Sequence, residues 1–247
     1  MQIAMTIGSA VLGAGVGALT PLPAYRLSLP SGSGAGCPHC QVSLPVGFRG
    51  WLGRGTCVAC RRPVTVPLWR CVVIGALVFV LLVMSLPHRH PAEILLLTAW
   101  LIFAGAGVLL AVIDIHVMRL PTKVLLPVAA VVGSLVVAAA VVSGDQALVR
   151  KAGTAAAVMG LAYLMLALLA PGKLGMGDAQ MAAVSGLLLG TYGWAMVVLG
   201  TILAWLVGGV VAAALLRTGR VRREASIPFV PYLVAGTLLA VVAAGWS

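Results

Sequence analysis

The chain divides into apolar runs of roughly 18 to 22 residues, and this pattern constrains its fold more than any other feature. A helix rises about 1.5 Å per residue, so each run is long enough to cross about 30 Å of bilayer hydrocarbon. Hydrophobic residues make up 62% of the 247 residues, and charged residues only 9%. A soluble domain of this length would leave much of that apolar surface in water. The sequence therefore predicts an all-α polytopic membrane protein with the lipid bilayer as its solvent.

We predict eight transmembrane helices from the positions of these runs. They cover residues 3–20, 67–87, 92–113, 124–143, 153–170, 179–195, 197–216 and 227–245. The first run has no basic stretch before it and no small-residue cleavage site, so we expect it to remain as a membrane helix and not to be removed as a signal peptide.

The cations indicate how the chain is oriented. With the N-terminus outside, the loops after the first, third, fifth and seventh spans hold 13 of the 16 Lys and Arg residues. Such an excess marks the cytoplasmic side, so we predict a multi-pass protein of the inner (plasma) membrane. Topology and anionic lipid headgroups then explain the net charge of +11, and we expect no nucleic-acid partner. The 13 residues are Arg26, Arg49, Arg54, Arg61, Arg62, Arg70, Arg119, Lys123, Lys173, Arg217, Arg220, Arg222 and Arg223.

Residues 25–66 form a polar insert with four of the five cysteines. Cys37 and Cys40 make one C-x2-C pair, and Cys57 and Cys60 make a second pair after sixteen intervening residues. This spacing is typical of zinc ribbons, in which four thiolates hold one structural Zn ion. Disulfides or free thiols are the alternatives, although a reducing cytoplasm disfavours disulfides. We therefore predict a small cytoplasmic zinc-ribbon-like insert, folded by its metal.

The chain has five carboxylates, and three of them have simple explanations. Glu93 lies at a helix N-terminus, Asp145 in an outside turn, and Glu224 among arginines. Asp114 instead ends an apolar run, at a depth where a charge costs a few kcal/mol and is functional by default. Its structural alternative is an ion pair with Arg119 or Lys123. Asp178 follows a glycine-rich segment, and its alternative is a helix N-cap, a role compatible with catalysis.

Span parity places Asp114 and Asp178 on the same side of the membrane. Two neighbouring carboxyl groups there cannot both ionise at low cost, so one holds a proton while the other deprotonates a water. That water would attack a peptide carbonyl, which is general acid–base hydrolysis without a covalent intermediate.

Several motifs appear in an order that resembles the type IV prepilin peptidases, a family of membrane aspartic peptidases. They are the cysteine loop after the first span, Asp114 with Leu120-Pro121 following, Gly175-Met176-Gly177-Asp178, and Ile227-Pro228-Phe229-Val230-Pro231-Tyr232 at the last span. The resemblance covers nearly the whole chain. It implies a first transmembrane helix (1–24), a cysteine-rich insert (25–66) and a transmembrane peptidase domain (67–247).

The resemblance also implies roles for individual residues. Asp114 and Asp178 would be the catalytic pair, and Gly175, Gly177 and Pro121 would belong to the active-site loops. The substrates would be prepilins or pseudopilins, whose short basic leaders are removed at the cytoplasmic face. An extended leader peptide would lie across the two aspartates.

Three features depart from the family pattern. Gln180 stands where the family usually has Lys, which removes one influence on the aspartate pair. Members with a cysteine loop also N-methylate the new N-terminus with S-adenosylmethionine. Here the Asn-Val usually found before Arg26 is missing, and the insert has no carboxylate. The sequence therefore leaves methyl transfer to the new N-terminus as a hypothesis.

Two rival functions fit part of the pattern. A presenilin-like peptidase also uses a glycine-rich aspartate motif but cuts within a membrane helix; the cysteine loop and Leu120-Pro121 favour the prepilin reading. A non-catalytic assembly protein or transporter could use the two aspartates for ion passage. Charged residues near mid-span would favour that class, and the apolar runs contain none.

Overall fold

The computed structural model describes residues 2–29, 36–45, 47, 51, 55–170, 174–221 and 227–245. Across these ranges the regular structure is helical, apart from two isolated β-bridges in the insert. Some residues that carried the sequence predictions lie outside the described residues: Arg49, Arg54, Lys173, Arg222, Arg223 and Glu224.

The helices agree with the predicted spans. They are α1 (Gln2–Leu19), α2 (Pro21–Ser28), α3 (Leu68–Ser85), α4 (Pro91–Val117), α5 (Thr122–Ser143), α6 (Gln146–Leu169), α7 (Met176–Gly190), α8 (Trp194–Arg217) and α9 (Val230–Ala244). The predicted all-α architecture is confirmed. The first span continues into α2, because Pro21 occupies the first helical turn, where a missing N–H does no harm.

Six segments of the described chain are long and apolar enough to cross a membrane: Ile3–Ser28, α3, α4, α5, α6 and α8. The helices α7 and α9 have 15 residues each, so each is only about 22 Å long. Large apolar side chains such as Val141, Leu169 and Val210 are exposed on the outer surface, as expected of helices facing lipid. The chain is a multi-pass membrane protein.

Helix α4 lies at the centre of the bundle. It packs against α2, α3, α5 and α9, and its side chains Trp100, Phe103 and Ile113 are fully buried. Helix α6 packs most extensively on α7, α1 on α3, and α8 on α9. This arrangement brings the end of α4 and the start of α7 to the same end of the molecule.

Glycines set the contact between α1 and α3. A Cβ built on Gly13 would lie 2.3 Å from the carbonyl oxygen of Gly75, and one built on Gly17 would lie 2.1 Å from that of Cys71. Gly13 and Gly17 are four residues apart, the spacing that lets membrane helices approach backbone to backbone. The first helix is thereby held directly against the helix that follows the insert.

A side-chain cap and a glycine turn explain two differences from the predicted boundaries. Helix α6 begins at Gln146, earlier than the predicted 153, because the Asp145 carboxylate accepts the Ala147 N–H at 2.9 Å and caps the helix. Helix α7 ends at Gly190, earlier than the predicted 195. The chain turns there through Gly193, whose φ of 103° is in a region that favours glycine.

Candidate active site

Asp114 lies in the last turn of α4 and is 4% exposed. Its Oδ2 accepts a buried hydrogen bond from the backbone N–H of Val230, at 3.1 Å. Val230 is the first residue of α9, so that N–H has no acceptor inside its own helix. Among the described residues Asp114 forms no ion pair, and the alternative of pairing with Arg119 or Lys123 is not what the structure has.

Asp178 lies in the first turn of α7 and is 8% exposed. Its Oδ2 accepts the Gly175 N–H at 2.7 Å, and its own N–H donates to the Gly175 carbonyl at 3.0 Å. Gly175 is the N-cap and Asp178 is the third helical residue, so the N-cap alternative for Asp178 is wrong in position. The carboxylate nevertheless reaches back to the N-cap N–H, as the acidic residue of a capping box does.

The structure brings these two aspartates together. Both line one open pocket of about 290 Å³. The rest of the wall comes from the α4–α5 turn and the start of α7: Met118, Arg119, Leu120, Thr122, Gly175, Met176, Gly177 and Gln180. Two carboxyl groups in such a pocket favour a state with one shared proton.

The turn after α4 aims its residues at this pocket. Met118 ends the helix in the left-handed region, with φ 48°, and its N–H donates to the Asp114 carbonyl at 2.8 Å. This conformation is uncommon for a residue other than glycine, asparagine or aspartate. Pro121 is not part of the pocket wall. It is the N-cap of α5, and its carbonyl accepts the N–H groups of Val124 and Leu125 at 2.9 and 3.1 Å.

The two predicted glycines act differently. A Cβ on Gly177 would lie 2.7 Å from the Cβ of Leu120, so the α4–α5 turn can rest on the start of α7 only because that Cβ is missing. A Cβ on Gly175 would meet the Asp178 Oδ2 at 3.5 Å, an ordinary contact. Gly175 therefore contributes its N–H, and Gly177 contributes the close approach of the two aspartate-bearing segments.

Sequence reasoning missed the polar and aromatic groups behind the aspartates. Val230 offers a backbone donor, which has no signature in the sequence. Tyr163, Trp205 and Phe229 form an aromatic cluster, with ring centroids 5.2 to 6.4 Å apart. The motif around Phe229 was recognisable in the sequence. Nothing in the sequence connected that motif to Tyr163, because Tyr163 lies within an apolar run, where an aromatic residue is expected to serve in packing.

The four insert cysteines form a cluster of two similar knuckles. In each, the first cysteine exchanges backbone hydrogen bonds of 2.9–3.0 Å with residues that follow the second cysteine. Gln41 and Arg61, which directly follow the second cysteines, both have φ near 60°, at 61° and 57°. The Sγ atoms lie within 4.8 Å of one another, with Cys37–Cys60 at 3.7 Å and Cys40–Cys57 at 3.5 Å.

These distances fit a metal site and not a disulfide. A disulfide needs sulfurs about 2.05 Å apart, and all four residues are free cysteines. Tetrahedral Zn–S bonds of about 2.3 Å place the sulfurs about 3.8 Å apart, close to the distances found. Backbone N–H groups of Cys60 and Ala59 lower the pKa of the Cys57 thiol, whereas burial and the neighbouring sulfurs raise that of Cys40, so the cluster shares its protons until a metal replaces them.

The insert rests on α2. Thr65 Oγ1 donates to the Pro21 carbonyl at 3.0 Å, and Leu22, Leu44 and Val64 form a small separate core. Ala24, two residues after Leu22 on α2, packs instead in the core of the membrane bundle. One short helix thus connects the cysteine cluster to the bundle that carries Asp114.

Comparison with known proteins gives one family. Residues 95–213, which include both aspartates, match the type IV leader peptidase family. The chain is 32% identical over 143 residues to a prepilin leader peptidase/N-methyltransferase of Bacillus subtilis (strain 168), covering 56% of this chain and 53% of that protein. It is 30% identical over 226 residues to a protein of the same name from Aeromonas hydrophila, covering 87% of this chain and 72% of that one. No solved structure matches.

Proposed function

Because this chain belongs to the type IV leader peptidase family, we propose that it is a membrane aspartic endopeptidase that removes the leader from prepilins or pseudopilins. One observation carries the proposal: Asp114 and Asp178, buried carboxylates on separate helices, line the same open pocket. Ionisable groups gathered at a membrane edge in this way mark a functional site.

The proposed chemistry needs one ionised and one protonated carboxyl group. The ionised carboxylate takes a proton from a water as its oxygen attacks the peptide carbonyl carbon, and the protonated partner gives its proton to the carbonyl oxygen. Collapse of the tetrahedral intermediate breaks the C–N bond; the leaving nitrogen receives the proton taken from the water, and a hydroxyl group of the intermediate returns its proton to the partner carboxylate. The products are a carboxylic acid and an amine, the pair again holds one proton, and no bond to the enzyme forms.

The hydrogen bonds leave each carboxyl group free to act. The Oδ2 atoms of Asp114 and Asp178 are held by the N–H groups of Val230 and Gly175. In the proposed mechanism the remaining carboxyl oxygens bind the water and the shared proton. Fixing one oxygen while leaving the other open orients both groups before the substrate arrives, which is how acid–base sites reduce the cost of reorganisation.

The orientation of the site is part of the proposal. The excess of cations in the loops on its side supports a cytoplasmic location in the plasma membrane. Described members of that set include Arg119, which lines the pocket, Arg217, which ends α8, and Arg220, which follows α8. A leader arriving at the cytoplasmic face would meet the pocket at the membrane edge.

We also propose that Cys37, Cys40, Cys57 and Cys60 hold a structural zinc ion. The sulfur spacing supports a closed tetrahedral site, and the insert has too small a core to fold without one. The metal would stabilise the insert on α2 and take no part in hydrolysis.

Methylation of the new N-terminus from S-adenosylmethionine is a second candidate activity. The names of both relatives include N-methyltransferase, and the chain has the cysteine cluster. The missing carboxylates of the insert are the feature that speaks against it.

The test is incubation of the detergent-purified protein, and of its Asp178→Asn variant, with a prepilin from the same genome. We expect a leader-sized loss of mass only with the unmodified protein, and an added methyl mass if the second activity is present. Cleavage inside the apolar helix would favour a presenilin-like peptidase. Absence of cleavage with several native prepilins would favour an assembly protein or transporter.

A further inference from the structure

The hydroxyl group of Tyr163 is buried without an acceptor for its proton. The side chain lies in α6 and is 2% exposed, and its oxygen has no hydrogen-bond partner among the described residues. Buried polar groups are nearly always paired, because an unpaired one loses its hydrogen bonds to water without replacement. An orphan hydroxyl in the core of a membrane bundle therefore calls for an acceptor that arrives or moves during function.

The surroundings of Tyr163 lead directly to the aspartate pair. Its ring lies 5.6 Å from that of Phe229, and the next residue, Val230, donates its N–H to Asp114. A Cβ built on Gly160, one turn before Tyr163 on α6, would lie 3.8 Å from the carbonyl oxygen of Ala179, the residue that follows Asp178. Tyr163 therefore lies behind the pocket, between the helix start that binds one aspartate and the side chain of the other.

Few other groups near this site could accept a hydrogen bond from the Tyr163 hydroxyl. Trp205 packs at 6.4 Å from the Tyr163 ring, and its indole N–H is a donor that cannot accept from a hydroxyl. Arg119 and Gln180 line the pocket, whose wall does not include Tyr163. The acceptors that an inward hydroxyl could meet there are the carboxyl oxygens of the pair or a water held by them.

Given the peptidase function proposed above, we propose that Tyr163 is a positioning residue of the aspartate pair, whose hydroxyl donates a hydrogen bond to the Asp178 carboxylate when substrate occupies the pocket. That bond stabilises the ionised form of Asp178 and directs the shared proton to Asp114. In the substrate-free structure the hydroxyl is left unpaired, and closing of the pocket around the peptide supplies its acceptor. Catalytic hydrogen bonds are often completed only in the substrate complex.

The test compares Tyr163→Phe with the unmodified enzyme across pH. This change removes the hydroxyl and keeps the ring that packs on Phe229. We expect kcat to fall by about ten- to a hundredfold with KM nearly unchanged, since hydrogen bonds to charged groups are worth about 1.5–3 kcal/mol. The acid limb of the pH–rate profile should move to higher pH, because a carboxylate that loses a donor ionises less readily.

Tyr192→Phe is the matched control. Tyr192 lies in the turn after α7 and packs on Trp100, with ring centroids 6.3 Å apart, at the end of α7 away from Asp178. Its variant should keep both the rate and the pH profile. A Tyr163→Phe enzyme with unchanged kcat, or with a lower rate but the same acid limb as the unmodified enzyme, would overturn the proposal.

A second measurement separates this inference from the peptidase function. Infrared spectra of the protein with a bound peptide analogue of the cleavage region report the protonated carboxyl band of the pair. We expect that band to shift in Tyr163→Phe and to stay in Tyr192→Phe. If the carboxyl band shifts in Tyr163→Phe but the unmodified protein cleaves no prepilin, the peptidase function is rejected and the contact between Tyr163 and the pair is kept. If the unmodified protein cleaves prepilin but the band does not shift, the peptidase function is kept and the contact is rejected.

Discussion

The carboxylate of Asp114 and the backbone N–H of Val230 meet at 3.1 Å, although 116 positions separate the two residues in the chain. The bond connects the end of α4 to the beginning of α9, and it is fully buried. The bond gives Asp114 a structural role, the connection of α4 to α9, in addition to the catalytic role that we propose. Substitutions of this residue should therefore separate into two classes.

Asp114→Asn should abolish cleavage and leave the protein folded, because the amide oxygen still accepts the Val230 N–H. Asp114→Ala should abolish cleavage and also lower the free energy of unfolding by about 1–3 kcal/mol, since the N–H is left buried and unpaired. Cleavage assays and thermal unfolding in detergent check both. Retained cleavage by the Asn variant would exclude Asp114 from the reaction. Equal stability of the two variants would show that the bond to Val230 does not stabilise the fold.

Gly177→Ala should lower cleavage by about a hundredfold, the effect of displacing a catalytic group by about 1 Å. The new Cβ would lie 2.7 Å from the Leu120 Cβ and would push the two aspartate-bearing segments apart. The measurement is kcat/KM for a prepilin peptide.

Two variants control this experiment. Gly153→Ala lies in a helix with no atom within 4 Å of the new Cβ, so it should keep full activity. Adding Leu120→Gly to Gly177→Ala removes the clashing Cβ and should recover part of the rate. If the double variant is no better than Gly177→Ala, the contact between Leu120 and Gly177 does not set the distance between the aspartates.

Zinc content should depend on the four-cysteine cluster. Purified protein should hold one zinc per chain, as expected for a four-thiolate site. Cys37→Ser and Cys60→Ser should lose the metal and become sensitive to protease within the insert, because metal binding supplies the folding free energy there. Cleavage of prepilin should fall less than zinc content, since no step of the proposed chemistry passes through the metal.

Cys71→Ala is the control for the zinc experiment. Cys71 is buried in α3 and lies outside the cluster, so its removal should leave the zinc content unchanged. Metal-free protein with an intact, protease-resistant insert would contradict the zinc proposal. A complete loss of cleavage in Cys37→Ser would show that the insert builds part of the peptidase site.

The glycine contact between α1 and α3 gives a stability prediction. Gly75→Ala would place a Cβ 2.3 Å from the Gly13 carbonyl oxygen, so it should lower the free energy of unfolding by about 1–3 kcal/mol. Gly15→Ala, on the same first helix but with nothing within 4 Å, should be neutral or stabilising. Thermal unfolding in one detergent compares the two, and equal midpoints would mean that the helices do not depend on this approach.

The sequence allowed the helices and the principal site residues to be predicted for clear physical reasons. Span length follows from bilayer thickness, so runs of apolar residues locate the membrane helices. Carboxylates are expensive near a membrane, so Asp114 and Asp178 were conspicuous among five. The paired cysteines had a spacing that few structures other than metal knuckles use.

The remaining features have no local signature. Every residue except proline has a backbone N–H, so the donor at Val230 could not be recognised before α9 was placed against α4. Tyr163 looks like a packing residue until its neighbours are known. The left-handed Met118 also escaped prediction, because a methionine rarely adopts that conformation and only the packing of the turn imposes it.

The bond between Asp114 and Val230 also fixes when the site can exist. A ribosome makes α4 and α7 before α9, so a growing chain contains both aspartates while the backbone group that holds one of them is still missing. The geometry that we propose for catalysis therefore requires α9. A chain cut off before residue 230 would carry both aspartates and lack the donor that fixes one of them.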